Sequence, residues 1–285
     1  MNEIPSVFTA TDHKSTFVHR QSVDKVCLVD ADFLKYYVVK DVYDYIQKGK
    51  DPVEQYGLDY LSHFVFKRID ELIVSRFDAK AYVFLFSASS KKTFRYALAV
   101  EKEYKGNRKV SDDYMYDRKF QDMAEVVSVV KEKYQSFVKP DLEADDLISV
   151  LQTENTFIYS QDKDLRTVPG SHWDIRTNKL VEVNAEDALK FLMYQMCAGD
   201  NADNIPGFPG MGPAKTSKFM QDSKGITSLP SEVFLLYMKE FGINEGIDRF
   251  CENWMLLKMR PARGPYFLSK LESEINIVKQ LSQLK

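Results

Sequence analysis

The pattern of apolar and polar positions divides the 285-residue chain into two unequal parts. Short continuous apolar runs at 25–29, 81–86 and 156–160 predict buried strands, because runs of this length are typical of strands covered on both faces. Helical spacing of apolar residues over 58–74 and about 120–137 predicts amphipathic helices between them. Strands that alternate with helices indicate an α/β fold with a largely parallel central sheet.

The later part of the chain is predicted to be almost wholly helical. Before it, Pro140 is expected to end one helix, and a further helix is expected over 143–151. The runs 173–176 and 180–183 flank a Thr-Asn-Lys turn and predict a hairpin or a pair of edge strands. We therefore expect three regions: an N-terminal extension (1–24), an α/β core (25–183) and an α-helical portion (184–285).

Composition narrows the kinds of site that this chain can carry. Its three cysteines include no C-x-x-C pair and its four histidines are scattered, so we expect no zinc or histidine-based metal site. The odd number of cysteines favours reduced thiols in a cytosolic setting. Residues 1–24 contain no apolar signal core and no segment approaches transmembrane length, so we expect a cytoplasmic protein without a membrane partner. The net charge of −3 does not exclude nucleic acid, because a local basic patch can meet phosphate.

Acidic residues lie beside the apolar runs in four places. These are Asp30, Glu143-Ala144-Asp145-Asp146, Asp162-Lys163-Asp164 and Asp200-Asn201-Ala202-Asp203. A single pair of this kind is more often a helix cap or a solvated helix face. Four at similar places favour a metal site, because these carboxylates cannot all ionise in one pocket without cations. Oxygen ligands suit Mg²⁺ or Mn²⁺, and two such ions can hydrolyse a phosphodiester.

Basic and aromatic side chains are concentrated in the middle of the chain. Tyr104, Lys105, Arg108 and Lys109 lie within seven residues, and Arg95 belongs to the positive stretch before them. Such a charge run is often only a solvated surface. Here the mixture predicts contact with nucleic acid: Tyr104 would stack on an unpaired base, Lys109 would meet phosphate, and Lys105 or Arg108 would stabilise charge on a transferring phosphate.

A loop rich in glycine and proline occupies 205–213, directly after the last acidic cluster. Its glycines, Gly207, Gly210 and Gly212, let the backbone turn tightly and approach a ligand closely. A helix is expected from Ala214, so backbone N–H groups and Lys215 would face a phosphate at its start. The alternative is a plain turn between two helices. Because the loop directly follows the acidic cluster, it favours the interpretation as a sequence-independent clamp on a nucleic-acid backbone.

Taken together, these motifs resemble those of the 5′-nuclease superfamily, which includes bacteriophage 5′-exonucleases, flap endonucleases and the 5′-nuclease domains of bacterial DNA polymerases. The matching segments, in order, are Leu28-Val29-Asp30, Glu103 to Arg108, Glu143 to Asp146, Ser160 to Asp164, Gly199 to Asn204 and Ile205 to Gly212. Each segment alone is weak, but their order and spacing make the set specific. The length of the chain is most similar to that of the stand-alone bacteriophage enzymes.

The resemblance implies a PIN-like core, a helical arch over about 91–137 and a C-terminal helix–three-turn–helix element that holds duplex DNA. It implies a divalent-metal-dependent 5′-3′ exonuclease or flap endonuclease acting on 5′ ends, flaps or junctions of DNA, with the RNA of RNA–DNA hybrids as a further candidate. A monomer in the (host) cytoplasm, working in phage-type replication or repair, would fit. Two ions, Mg²⁺ or Mn²⁺, would be held by the acidic residues, and a K⁺ ion by the helix–three-turn–helix.

The resemblance also assigns individual residues. Asp30, Asp145 and Asp146 would belong to the first metal site, with Glu143 beside them. Asp162, Asp164, Asp200 and Asp203 would form or support the second. Lys105 and Arg108 would contact the scissile phosphate, and Gly207, Gly210 and Gly212 would form the duplex clamp.

One departure from the family bears on activity. The family has another aspartate just after its second core strand, whereas Ser87 or Ala88 stands at the matching place here. A catalytically weak DNA-junction binder of the same fold is therefore one alternative. A haloacid-dehalogenase-type phosphatase is another, because Asp30-Ala31-Asp32 resembles a nucleophile loop. That alternative would leave Glu143 to Asp146 and the glycine–proline loop without a role.

Overall fold

The computed structural model of the chain describes residues 20–88, 93–108 and 114–259, and the side chains of 114–122 lie outside this description. The strands are β1 (Gln21–Asp30), β2 (Phe77–Phe86), β3 (Ser136–Val138), β4 (Thr156–Tyr159), β5 (Gly170–Asp174) and β6 (Lys179–Val183). The first helices are α1 (Asp32–Gln47), α2 (Pro52–Tyr56), α3 (Tyr60–Ile69), α4 (Phe94–Leu98) and α5 (Tyr114–Lys133). The later helices are α6 (Ala144–Leu151), α7 (Ala185–Ala198), α8 (Pro213–Asp222), α9 (Leu229–Phe241) and α10 (Ile243–Leu257).

The six strands form one sheet in the order β3-β2-β1-β4-β5-β6. Every neighbouring pair is parallel except β5 and β6, which form an antiparallel hairpin. The predicted α/β class with a mostly parallel sheet is confirmed. Because β1 pairs with β2 on one side and β4 on the other, the carboxyl ends of these three strands lie at one edge of the sheet. Open α/β sheets bind their ligands at such an edge.

Alternating residues of the central strands bury opposite faces of the sheet, as strand geometry requires. On one face, Val29 and Phe84 pack in a cluster with residues of α1, α3 and α5. On the other face, Leu28 and Leu85 pack against α6. A third cluster joins α7, α9 and α10, and it also includes Tyr104. None of the described helices is long and apolar enough to span a membrane.

Several predicted boundaries were wrong. Strands β1 and β2 begin four residues before their apolar runs, because polar residues at their starts also pair, as Gln21 does with Phe77. The helix predicted to continue to Pro140 ends at Lys133, and β3 follows because Ser136 to Val138 pair with the end of β2. A strand of three residues forms because it pairs with a neighbouring strand, and the periodicity of the sequence does not show that pairing. The helix predicted over 58–74 is regular only to Ile69 and closes in a π-helical turn, Asp70–Val74.

Candidate active site

Two strand ends bring the first carboxylates together. Asp30 is the last residue of β1, and Asp162 follows β4 by three positions. Between them, the Ser160 hydroxyl donates to Asp30 Oδ2 (2.7 Å) and accepts from the Asp162 N–H (2.9 Å). Burial, followed by the charges of Asp32 and Asp162, raises the pKa of Asp30 to about 7. This carboxylate therefore lies where a positive partner would be strongly favoured.

The first turn of α6 contributes the second group. Glu143 is the N-cap residue of the helix, and Asp145 and Asp146 follow in its first turn. Burial, and then the charge of Glu143, raises the pKa of Asp145, on which the charge of Asp30 also acts. Asp145 therefore lies close enough to the β1 end to share its electrostatic environment.

The contacts of Asp146 do not agree with the prediction that this residue belongs to the first metal site. Its side chain is fully buried, and its two oxygens accept hydrogen bonds from Arg95 at 2.9 and 2.6 Å. A carboxylate engaged at both oxygens by a guanidinium is oriented towards that cation and is not free to bind a metal ion. The sequence pattern placed Arg95 in a positive stretch that was expected to contact nucleic acid. Its burial at 1% exposure corrects this.

A third group surrounds the start of the loop between α7 and α8. Asp164 lies in the 3₁₀ turn Lys163–Thr167, accepts from Gln195 Nε2 (2.7 Å) and shares a hydrogen bond with Asp200. Burial, then the charges of Asp162 and Asp200, raises the pKa of Asp164 to about 8. Lys163 Nζ lies 3.1 Å from Asp200 Oδ2 and 3.8 Å from Asp164 Oδ1. Two carboxylates this close repel each other when both are ionised, so Asp164 and Asp200 share the Lys163 ammonium group and a hydrogen-bonded proton.

Tyr104, Lys105 and Arg108 connect the second acidic group, at the start of α6, with Asp203 in the loop between α7 and α8. The Tyr104 hydroxyl lies 2.8 Å from Glu143 Oε2 and 2.7 Å from Asp203 Oδ2. Lys105 Nζ lies 2.7 Å from Glu143 Oε1 and 3.7 Å from Asp203 Oδ2. Arg108 Nη2 donates to Asp203 Oδ1 (2.8 Å) and is half exposed. These contacts place the predicted basic residues at the acidic groups.

The predicted stacking of Tyr104 on an unpaired base does not agree with its position. Its side chain is 2% exposed and packs in the helical cluster, in an edge-on contact with Tyr96. A ring that is buried to this extent has no exposed face on which a base could stack. The residue links carboxylates instead of contacting nucleic acid.

Lys105 adopts a backbone φ of 55°, in the left-handed region that residues with a side chain seldom occupy. The conformation is held by a hydrogen bond from the Lys105 N–H to the Asp203 carbonyl (2.9 Å). Strain of this kind costs about 1–2 kcal/mol and persists where the surroundings enforce it, often at functional sites. The backbone therefore aims Lys105 into the acidic groups at an energetic cost.

We call the region that these residues surround the acidic cleft; its carboxylates are Asp30, Glu143, Asp145, Asp162, Asp164, Asp200 and Asp203. The donor set fits a hard divalent ion because it consists of carboxylates, and burial together with neighbouring negative charges raises the pKa of Asp30, Asp145, Asp162 and Asp164. In the part of the chain that the structure describes, no three acidic, histidine or cysteine side chains converge on one point as a ligand set. Lysine, arginine and tyrosine partners hold the carboxylates instead. Side chains of the acidic cleft would have to turn to bind an ion.

The loop between α7 and α8 has the expected tight turns. Gly199, Gly207 and Gly210 have φ values of +73°, +64° and +70°, and the Phe208 N–H returns to the Cys197 carbonyl (2.9 Å). The backbone of Gly207 packs directly against that of Gly199, where a side chain would come within 2.2 Å. Gly207 therefore closes the loop on itself rather than facing a duplex.

Of the other residues predicted to contact DNA, the structure describes some and not others. The positions that a side chain would take at Gly210 and Gly212 are open, and Lys215 is exposed in the first turn of α8. No side chain caps the start of this helix. Lys109 and part of the predicted arch lie outside the described residues.

Curated relatives carry the names of the enzymes that the sequence resembles. Flap endonuclease Xni of Shewanella amazonensis is 27% identical over 164 residues, which is 52% of this chain and 60% of the relative. A 5′-3′ exonuclease of Buchnera aphidicola subsp. Acyrthosiphon pisum is 31% identical over 169 residues, covering 54% and 57%. The chain thus spans less than two thirds of the length of either relative. No protein-family model matches the chain.

Solved structures from bacteriophage T5 share the fold. A variant of the T5 flap endonuclease, in a pseudo-enzyme–product complex with DNA and metal ions, superposes with a TM-score of 0.58 over 90% of this chain and 99% of that one. The T5 protein co-crystallised with metal ions gives 0.56 over 89% and 98%. The chain shares the fold of this T5 enzyme. The sequence identities, 18% and 17%, are too low for these structures to establish more.

Within this fold, the missing carboxylate near Ser87 has a local counterpart. Asp32 Oδ1 accepts from the Ser87 N–H (3.2 Å) and lies 2.7 Å from Lys35 Nζ. The Ser87 hydroxyl accepts from the Ala144 N–H (2.9 Å) and so joins β2 to α6. A carboxylate from α1 therefore stands at the end of β2, although β2 itself supplies none. Asp32 is not among the carboxylates that the sequence predicts for a metal site.

Proposed function

We propose that the chain is a divalent-metal-dependent 5′-nuclease that cleaves DNA phosphodiesters near 5′ ends, flaps or junctions and leaves 5′-phosphates. The observation that carries the proposal is the acidic cleft itself. Carboxylates from the end of β1, the loop after β4, the start of α6 and the loop after α7 surround this region, and Lys105 is paired with Glu143 among them. The names of the curated relatives and the fold of the T5 enzyme support the same activity.

The proposed ions are two Mg²⁺ or Mn²⁺ ions, the number that other phosphodiester hydrolases use. When bound, such ions supply a water of lowered pKa and stabilise a leaving oxygen. The carboxylates of the acidic cleft would hold them. Lys105 and Arg108 would leave Glu143 and Asp203 when the ions arrive and would neutralise charge on the phosphate.

The loop between α7 and α8 would hold the duplex without reading its sequence. The start of α8 carries backbone N–H groups with no side-chain cap, and Lys215 lies in its first turn. Helix N-termini of this kind favour phosphate. We further propose that the same loop binds K⁺ and that the chain acts as a monomer in the cytoplasm. RNA strands of RNA–DNA hybrids are secondary substrates in this proposal.

The direct test is a metal titration with an end-labelled 5′-flap duplex. Cleavage should be absent in excess EDTA and should return when Mg²⁺ or Mn²⁺ is added, with 5′-phosphorylated products. Parallel assays with an RNA–DNA hybrid and with Na⁺ replacing K⁺ test the finer parts. Cleavage that persists in excess EDTA would remove the basis of the proposed chemistry.

Removal of the Lys105 ammonium should lower the maximal rate strongly. Lys105→Met keeps the apolar stem but loses the charge next to Glu143, so we expect kcat to fall by ~10²–10³-fold. Arg108→Met should cost less, about tenfold, because its side chain is half exposed and solvent screens its charge. Single-turnover cleavage of the flap substrate measures both. Lys190→Met, on the exposed surface of α7, is the matched control; an equal loss in this variant would contradict a local role for Lys105.

The DNA-junction binder remains a second candidate function, because Ser87 directly follows β2 at the place where a carboxylate is expected. Asp32 beside the Ser87 N–H favours the active enzyme over this candidate. Flap binding at full affinity, without cleavage at any Mg²⁺ or Mn²⁺ concentration, would favour the binder. Turnover of a small phosphomonoester without action on DNA would instead favour the phosphatase alternative.

A further inference from the structure

Arg95 is the largest of the side chains that are completely buried in the described part of the chain. It lies on the short helix α4, and its guanidinium reaches both the start of α6 and the end of α10. Burying a charge without partners is costly, so a guanidinium in this position must be fully engaged. Its contacts indicate what it does.

All five N–H groups of the Arg95 guanidinium have partners. Nε donates to the Leu256 carbonyl (2.9 Å). Nη1 donates to Glu143 Oε2 (3.1 Å) and Asp146 Oδ2 (2.6 Å). Nη2 donates to Asp146 Oδ1 (2.9 Å) and to Met259 Sδ (3.5 Å). A lysine, with three donors on one atom, cannot reproduce this planar set.

The contacts with Asp146 fix the first turn of α6, and the bond to Glu143 ties the same guanidinium to a carboxylate of the acidic cleft. Asp146 also accepts, more weakly, from the Glu143 N–H (3.4 Å). Asp145 stands between these two residues in the chain, so its direction is set once both are held. On the other side, the Leu256 carbonyl belongs to the last turn of α10, where carbonyls lack helical donors.

We propose that Arg95 is a positioning residue, which holds the first turn of α6 so that Glu143 and Asp145 face the acidic cleft at the spacing that divalent ions require. The inference rests on the proposed function and deepens it. Arg95 touches neither ions nor substrate in this role. It acts through Asp146 and Glu143.

A role in charge balance alone would give a different result. If Arg95 only offset the negative charge of the acidic cleft, its removal would leave divalent-ion affinity unchanged or tighter, because a repelling cation would be gone. A positioning role requires weaker binding, since carboxylates that are no longer held must be ordered by the ion. Losses of 10–100-fold are typical when the partners of metal-binding groups are changed.

The experiment compares Arg95→Lys, which keeps the charge and loses the fork, with Arg95→Met, which loses both. Mn²⁺ binding is measured by titration calorimetry in the absence of DNA, and kcat and KM are measured on the flap substrate. Both variants are checked by circular dichroism and thermal unfolding. Arg249→Lys, in an ion pair with Glu101 on the surface of α10, is the matched control.

For Arg95→Lys we expect Mn²⁺ affinity and kcat to fall by ~10–100-fold, with KM for DNA unchanged and with no loss in Arg249→Lys. Wild-type affinity and kcat in Arg95→Lys would overturn the proposal, as would tighter Mn²⁺ binding in Arg95→Met. If Arg95→Met does not fold, the lysine variant decides alone. If the wild-type chain cleaves no DNA, the proposed function fails, whereas the Mn²⁺ titrations still decide on Arg95.

Discussion

Asp145→Asn should abolish most of the cleavage activity while leaving the fold intact. Asparagine keeps the shape of the side chain but loses the charge that the proposed ions need. We expect kcat to fall by ~10³-fold or more, corresponding to about 4 kcal/mol of lost stabilisation. The variant should nevertheless unfold at the same or a higher temperature, because it removes a buried charge beside Glu143 and Asp30. Single-turnover cleavage and thermal unfolding measure the two effects, and DNA affinity should change little.

Asp174→Asn provides a matched control. Asp174 also ends a strand, β5, but it accepts hydrogen bonds from the Arg176 N–H and Thr177 Oγ1 and lies outside the acidic cleft. These bonds lower its pKa, so here the ionised form is favoured. Activity should be unchanged in this variant. Full activity in Asp145→Asn, or equal losses in both, would contradict the assignment of Asp145 to a metal site.

The second large effect concerns stability. Gly207→Ala should destabilise the chain by about 3 kcal/mol or more, because the new Cβ would lie 2.2 Å from the Gly199 nitrogen and 2.6 Å from its Cα. These are backbone atoms, which cannot turn aside as a side chain can. The left-handed φ of +64° adds about 1–2 kcal/mol for a residue other than glycine. Urea-induced unfolding, followed by circular dichroism, measures the change.

Gly210→Ala separates the two causes of this loss. Gly210 has a similar φ of +70°, but a Cβ there would meet nothing within 4 Å. Only the conformational cost of about 1–2 kcal/mol should appear. If Gly207→Ala is as mild as Gly210→Ala, the close approach of Gly207 to Gly199 does not occur in solution. If only Gly210→Ala weakens DNA binding, the open glycine is the one that faces the duplex.

Much of the fold could be predicted because local patterns and tertiary structure agree. The apolar runs at β1, β2 and β4 are buried on both faces of the sheet, so their hydrophobicity is itself the signal. Carboxylates at the ends of parallel strands necessarily share one edge, which is why Asp30 and Asp162 could be placed together. The hairpin β5–β6 followed from its turn, since a short turn between two strands brings them side by side.

Other features depend on contacts that sequence does not display. The positive stretch around Arg95 predicted contact with nucleic acid, whereas the burial of Arg95 depends on Asp146, about fifty residues away, and on the end of α10. Tyr104 is enclosed by helices that come much later in the chain. A usable signal existed for Arg95, because it interrupts the short apolar helix α4, where a solvated charge would be out of place. The boundary predicted near 184 and the roles of the remaining site residues stay predictions.

The position of segment 93–108 limits how this chain could recombine with a homologue. Through Tyr104 it is packed among the C-terminal helices, and through Lys105 and Arg95 it is bound to the acids at the sheet edge. A hybrid that joined the sheet of one homologue to the helices of another would break one of these two sets of neighbours. Successful recombination would therefore have to inherit this segment, the start of α6 and the end of α10 from the same parent.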